Sequence, residues 1–162
     1  MNKKILIVAA LLMVVCVGGA FAWAIGVQGG GGYPAGGGGA VTFKLDSLPL
    51  VFAADAAIYS NAFMIGLTGD YWFLNGTLVD TGIGPLGWFL GAGAGVGLWL
   101  GDDIFGVQLA ARLPIGLNMM IPVGSIEIEP YIQVVPTLGA NLMYGNIFHF
   151  GVAGNLGLRF HF

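Results

Sequence analysis

From Phe148 to Phe162 every even position is Phe, Val, Gly or Leu, while the odd positions are His149, Gly151, Ala153, Asn155, Gly157, Arg159 and His161. A period of two is the period of a β-strand, with one greasy face and one polar or small face. The same alternation runs through Ile126 to Leu138, with Ile126, Ile128, Ile132, Val134 and Leu138 opposed by Glu127, Glu129, Tyr131, Gln133 and Thr137. It recurs from Val107 to Ile121, where Leu109, Leu113, Ile115 and Leu117 oppose Gln108, Arg112, Gly116 and Asn118. Pro130 and Pro136 remove ladder donors, so that strand is expected to carry bulges or to lie at a rim. Weaker alternation marks Ile25 to Gly32, Val41 to Asp46, Leu50 to Tyr59, Phe63 to Leu74 and Trp88 to Leu100. Together these predict eight strands.

The run from Thr81 to Gly101 has no charged residue and is long enough for a membrane-spanning helix. Its internal spacing contradicts a helix, because Gly91, Gly93, Gly95 and Gly97 alternate with Ala92, Ala94, Val96 and Leu98. Each interior glycine would cost a helix about 1 kcal/mol relative to alanine. A helix through Val107 to Ile121 would place Arg112 and Pro114 in mid-bilayer.

Connections are predicted at Tyr33 to Gly39, Asp46 to Pro49, Ser60-Asn61, Gly101 to Asp103, Pro122 to Gly124 and Met143 to Asn146. Asn75 to Pro85 either closes a tight hairpin at Asn75-Gly76 or begins a longer connection, and a count of eight or ten strands turns on it.

Composition decides which solvent the greasy face meets. Hydrophobic residues make up 57% of the chain and charged residues only 8%, against roughly a quarter charged in soluble domains. A water-soluble barrel would turn its polar face outward, yet here that face is too poor in charge to stay solvated. The pattern therefore predicts an all-β, antiparallel, up-and-down transmembrane β-barrel of eight strands. In that register Lys44, Asp46, Asp55, Asp70, Arg112, Glu127, Glu129 and Arg159 point inward, and Asp80, Asp102 and Asp103 fall in connections. Trp23, Tyr71, Phe73, Trp88, Phe160 and Phe162 would gather at one rim, and Tyr59, Phe63, Trp99 and Phe148 near the other.

Residues 1–22 read as a cleaved signal peptide: Lys3 and Lys4, an apolar stretch from Ile5 to Val17, and Ala20-Phe21-Ala22 as the processing site. Residues 23–162 would then be the barrel, in the outer membrane of a diderm bacterium. Cys16 falls in the removed segment, which leaves no thiol chemistry to the mature chain. Lys44, Arg112 and Arg159 against the 8 acidic residues exclude a basic nucleic-acid surface.

Catalysis has little to work with. Ser47, Ser60 and Ser125 fall in predicted turns, and His149 and His161 would be about 40 Å apart along one strand, which fits neither a nucleophile–base pair nor a metal site. No cofactor is implied. Inside the barrel, Lys44, Asp55, Asp70, Arg112, Glu127, Glu129, Arg159 and His161 form a candidate polar and ionic network, with Glu127 and Glu129 facing Arg159 and Arg112 on the two flanking strands. Two readings stay open: the charges plug a narrow interior, or the inward glycines Gly91, Gly93, Gly95, Gly97 and Gly157 leave a small conducting path.

The ending Asn155-Leu156-Gly157-Leu158-Arg159-Phe160-His161-Phe162 resembles the last strand of bacterial outer-membrane barrels. Arg112 to Asn118, Ile126 to Tyr131, Pro136 to Gly139, Asp70-Tyr71-Trp72 and Gly87 to Gly91 resemble the small eight-stranded barrels of spirochaete-type outer membranes. The chain is more distantly similar to the OmpX and OmpW barrels and to the membrane domain of OmpA, without the long outer loops of OmpW. The resemblance implies that Leu158, Phe160 and Phe162 are read by the outer-membrane assembly machinery, and that lipid is the main partner. It implies an envelope barrel, with a narrow channel or a surface-exposed binder of host ligands as alternatives.

Overall fold

The computed structural model describes residues 23–33, 36–58, 62–101, 105–142 and 148–162. The predicted signal segment, Tyr59, Ser60-Asn61, Asp102-Asp103 and Met143 to Asn146 lie outside the described residues. Within them every regular element is a strand: β1 Trp23–Tyr33, β2 Gly37–Leu45, β3 Leu50–Ile58, β4 Ala62–Thr81, β5 Gly84–Gly101, β6 Phe105–Arg112, β7 Ile115–Met119, β8 Ile121–Val123, β9 Ile126–Asn141 and β10 Phe148–His161. The apolar run that could have been a helix is strand β5.

All pairings are antiparallel, β1 to β6 lie side by side in sequence order, β9 lies beside β10, and β10 returns to β1. The sheet thus closes into a ring of eight, in which β6, β7 and β8 lie end to end along β9 and share one place. Prolines explain that segmentation. Pro114 and Pro136 both lack an N–H, and the ladder between β9 and its neighbour is interrupted between Arg112↔Thr137 and Ile115↔Val134, where Pro136 stands opposite Leu113 and Pro114 opposite Val135. One bond bridges this gap, from Leu113 N to Pro136 O at 3.0 Å, and another bridges the matching gap on the β5 side, from Gly91 N to Pro114 O at 2.8 Å. The prolines that suggested a rim strand instead break the neighbouring one.

Following ladder partners once round the ring from Ala24 passes through Lys44, Val51, Asp70, Gly93, Arg112, Thr137 and Gly151, and arrives next to Tyr33 at the far end of β1. The strands are therefore staggered by about ten residues per circuit, the tilt that closing a sheet requires. Cross-strand partners share a face, so this one row fixes the inward side, and the charged residues on it point inward.

Three connections differ from expectation. Gly37–Gly39 belong to β2 rather than to a loop, and Pro122 and Val123 form β8, with the turn at Gly124-Ser125. Asn75 to Pro85 adds no strands to the ring but lengthens the β4–β5 hairpin as far as Thr81 and Gly84. That tight turn is closed by the Thr81 hydroxyl, which donates to Gly84 O and accepts from Gly84 N at 3.2 Å. Gly84 and Gly124 have φ of 151° and 65°, which disfavours any side chain at either position.

Candidate functional site

The interior divides into two halves. At the end holding Trp23, Phe162 and the 46–49 turn, large side chains meet across it. Trp72 reaches inward from β4 at a bulge, since Tyr71 faces Ala92 while Leu74 faces Leu90. Its indole stacks on Phe89 of β5, with centroids 3.7 Å apart and planes 6° from parallel. The Arg159 guanidinium lies 3.8 Å from the centre of the Tyr131 ring and 5.1 Å from that of Trp72, and Lys44 Nζ is 5.0 Å from Trp72. These are cation–π distances.

Glu129, fully buried, is the hub. Its Oε1 accepts from Lys44 Nζ at 3.1 Å and Asn118 Nδ2 at 2.7 Å, and its Oε2 accepts from Arg159 Nη1 at 3.1 Å. His161 bridges Glu129 Oε2 at 2.9 Å and Asp46 Oδ2 at 3.0 Å. Because both His161 nitrogens face carboxylate oxygens, the ring donates from both as an imidazolium. Lys44, Arg159 and His161 thus stand against Glu129 and Asp46 with each charge hydrogen-bonded to an opposite one, the condition under which buried charges are tolerated.

Of the eight network residues expected from sequence, the structure brings Lys44, Glu129, Arg159 and His161 together, with Asp46 and Asn118 added. Glu127 does not join. It shares the parity of Glu129 but is exposed at the end of the ring, beyond the reach of the packed interior. Arg112 does not reach Glu129 either: it pairs with Asp70, Nε to Oδ1 at 3.0 Å and Nη2 to Oδ2 at 3.2 Å. Among the described residues Asp55 has no hydrogen-bond partner, and it lies near enough to feel the Arg112 charge.

These last three residues belong to the other half, where a cavity of about 470 Å³ opens towards the ends of β1, β3, β5 and β9. The cavity exists because inward positions there are small, among them Gly38, Ala57, Gly66, Gly97 and Ala110. Trp99, expected at the outer rim, instead points inward and donates from Nε1 to Gln108 Oε1 at 2.9 Å, and Gln108 Nε2 lies 2.6 Å from His149 Nε2. It has the inward parity of Gly95 and Gly97. No group of His, Cys, Asp and Glu among the described residues could hold a metal ion.

Sequence reasoning missed Trp72, Phe89, Tyr131 and Asn118 as parts of the closed end. Tyr131 and Asn118 carried a usable signal, being on the polar faces of their strands. Trp72 carried it too, sharing the even, inward parity of Asp70, although the bulge that follows it is not visible in the alternation. Leu158, Phe160 and Phe162 lie along the seam where β10 meets β1, and Phe162 packs on Trp23 with centroids 5.0 Å apart.

The chain matches no protein-family model, no curated protein and no solved structure.

Proposed function

We propose that this chain is an integral outer-membrane β-barrel of a diderm bacterium, closed at one end by its own side chains and therefore an envelope barrel rather than a through-channel. The observation that carries this reading is the outward face. Val27, Val41, Leu67, Val96 and Leu109 lie in one ladder row that runs on through Ala54, and the five are between 41% and 62% exposed. So continuous an apolar belt far exceeds the patches a water-soluble monomer tolerates, whereas it suits hydrocarbon. The charged side chains of the described residues point inward or sit near the ends, which agrees with lipid on the outside. Trp23, Phe43 and Phe162 cluster at the end that would lie at an interface.

Closure follows from the hub. An ion moving along the axis would have to displace the Trp72–Phe89 stack and a hydrogen-bonded set of paired charges. The test is to refold residues 23–162 in detergent, record far-ultraviolet circular dichroism and gel mobility before and after boiling, and then measure conductance in planar bilayers. The expected outcome is a β spectrum, a band that shifts on heating, and no steady conductance. A helical spectrum would remove the barrel reading, and stepwise conductance would replace the closed barrel with the narrow channel.

A further inference from the structure

We propose that the open half of the ring is a binding site for a small organic ammonium ion, with Asp55 as its counter-charge. This goes beyond the envelope role and rests on the ring interior, not on where the protein resides.

Size comes first: about 470 Å³ is within the range of small-molecule sites. Eight strands normally leave an interior that side chains fill, and here small inward residues leave it empty. Charge comes second. Arg112 lies close enough to act electrostatically on Asp55, but its Nε and Nη2 are both bonded to Asp70. Two carboxylates therefore face one guanidinium, and Asp55, half-buried, has no hydrogen-bond partner among the described residues. Its carboxylate leans over Gly66, directly across the ladder, where a Cβ would strike it. An incompletely paired carboxylate in a confined space favours a cation. Anions are disfavoured, because Asp70 already neutralises the guanidinium.

The remaining lining defines the kind of cation. Thr68 and Asn155 are neutral hydrogen-bonding groups on the wall, and Trp99, held by Gln108, gives an aromatic surface suited to ammonium groups. That combination fits a polar organic amine. Gln28 on the cavity wall is bonded to Tyr131, and beyond it Tyr131, Arg159 and Trp72 pack the interior, so the site is a dead end and a ligand enters and leaves by the same mouth.

The test uses residues 23–162 folded in detergent, titrated with choline, with ethanolamine and with dimethylbutanol, the uncharged carbon isostere of choline, and followed by calorimetry and tryptophan fluorescence. Saturable binding of at least one ammonium compound is expected, with dimethylbutanol weaker than choline by about tenfold or more. Asp55→Asn should abolish that preference while keeping the heat-shifted band. Gly97→Leu should remove binding altogether by filling the cavity, since its nearest neighbour is the flexible Met64 thioether, 3.2 Å from where a Cβ would sit. Ala110→Leu serves the same purpose should Gly97→Leu not fold. No saturable binding of either amine, equal binding of choline and its isostere, or an Asp55→Asn protein that keeps the preference would each overturn the proposal. With the heat-shifted band still present, any of these would leave the barrel reading standing.

Discussion

The two halves of the ring interior are enclosed by the same strands on the same stagger, yet one is packed and the other holds a cavity. The difference lies in how glycine is paired across the ladder. In the closed half four large inward side chains lie over a glycine on the neighbouring strand: Trp72 over Gly91, Phe89 over Gly116, Tyr131 over Gly157, Arg159 over Gly26. A Cβ at any of these glycines would collide with its partner. The rings lie flat, reach the axis and stack. In the open half the side chains folded over glycine are polar, the short Asp55 on Gly66 and Asn155 on Gly30 and the imidazole of His149 on Gly139, and none is stacked on another ring across the interior as Trp72 is on Phe89. They hug the wall and leave the centre clear. Glycine therefore makes room for a plug at one end and for a cavity at the other, and the partner decides which.

The largest expected effect is at the hub of the closed half. Glu129→Ala leaves Arg159, 1% exposed, without its carboxylate and deprives Lys44 of its partner. That should cost about 3–5 kcal/mol, read from the urea midpoint of the heat-shifted band. The paired change Glu129→Leu with Arg159→Met should cost much less than the two single changes added together, because it removes charge and counter-charge at once. Additive losses would mean that Glu129 and Arg159 do not act as a unit.

Arg112→Ala in the open half removes a bidentate pair, one direct bond more than Arg159 makes to Glu129, but its side chain is 16% exposed at the margin of a cavity. Water can reach what remains, and screening lowers the loss to about 1–2 kcal/mol. A loss equal to that of Glu129→Ala would show that the two halves are equally dry and would weaken the contrast between them.

Much of the ring could be read from alternation alone. The parity of Lys44, Glu129, Arg159 and His161 is local information, carried by each strand's own greasy neighbours. Which charge meets which is not local. Glu129 meets Arg159 directly across the β9–β10 ladder, and adjacent strands made that pair foreseeable. Lys44 reaches Glu129 across the interior from β2, and Arg112 finds Asp70 across β5. Such contacts depend on the stagger, which no single strand encodes. The bulge at Trp72 defeated alternation for a second reason. One extra residue reverses the faces of everything after it, so Leu74 is outward although Asp70 and Trp72 are inward. Trp99 was misplaced because aromatic residues near strand ends suggest girdles, while its odd position already put it inside.

The smallest effects sharpen the comparison most directly, because the same substitution is made in both halves. At Gly157 a new methyl meets the Tyr131 ring, whose hydroxyl donates to Gln28 Oε1 at 2.8 Å and whose face carries Arg159. The ring is held on two sides and has nowhere to go, so Gly157→Ala should cost about 1–3 kcal/mol by overpacking. At Gly97 the methyl meets only the end of Met64, 3.2 Å away, in a side chain with three rotatable bonds beside empty space. Alanine also narrows the unfolded ensemble relative to glycine, so Gly97→Ala should lie within about 0.5 kcal/mol of the parent. Unfolding midpoints of the two variants, measured side by side in one detergent, decide the matter. If both are neutral, the closed half is looser than its stacking implies; if both are damaging, the cavity wall is as constrained as the plug.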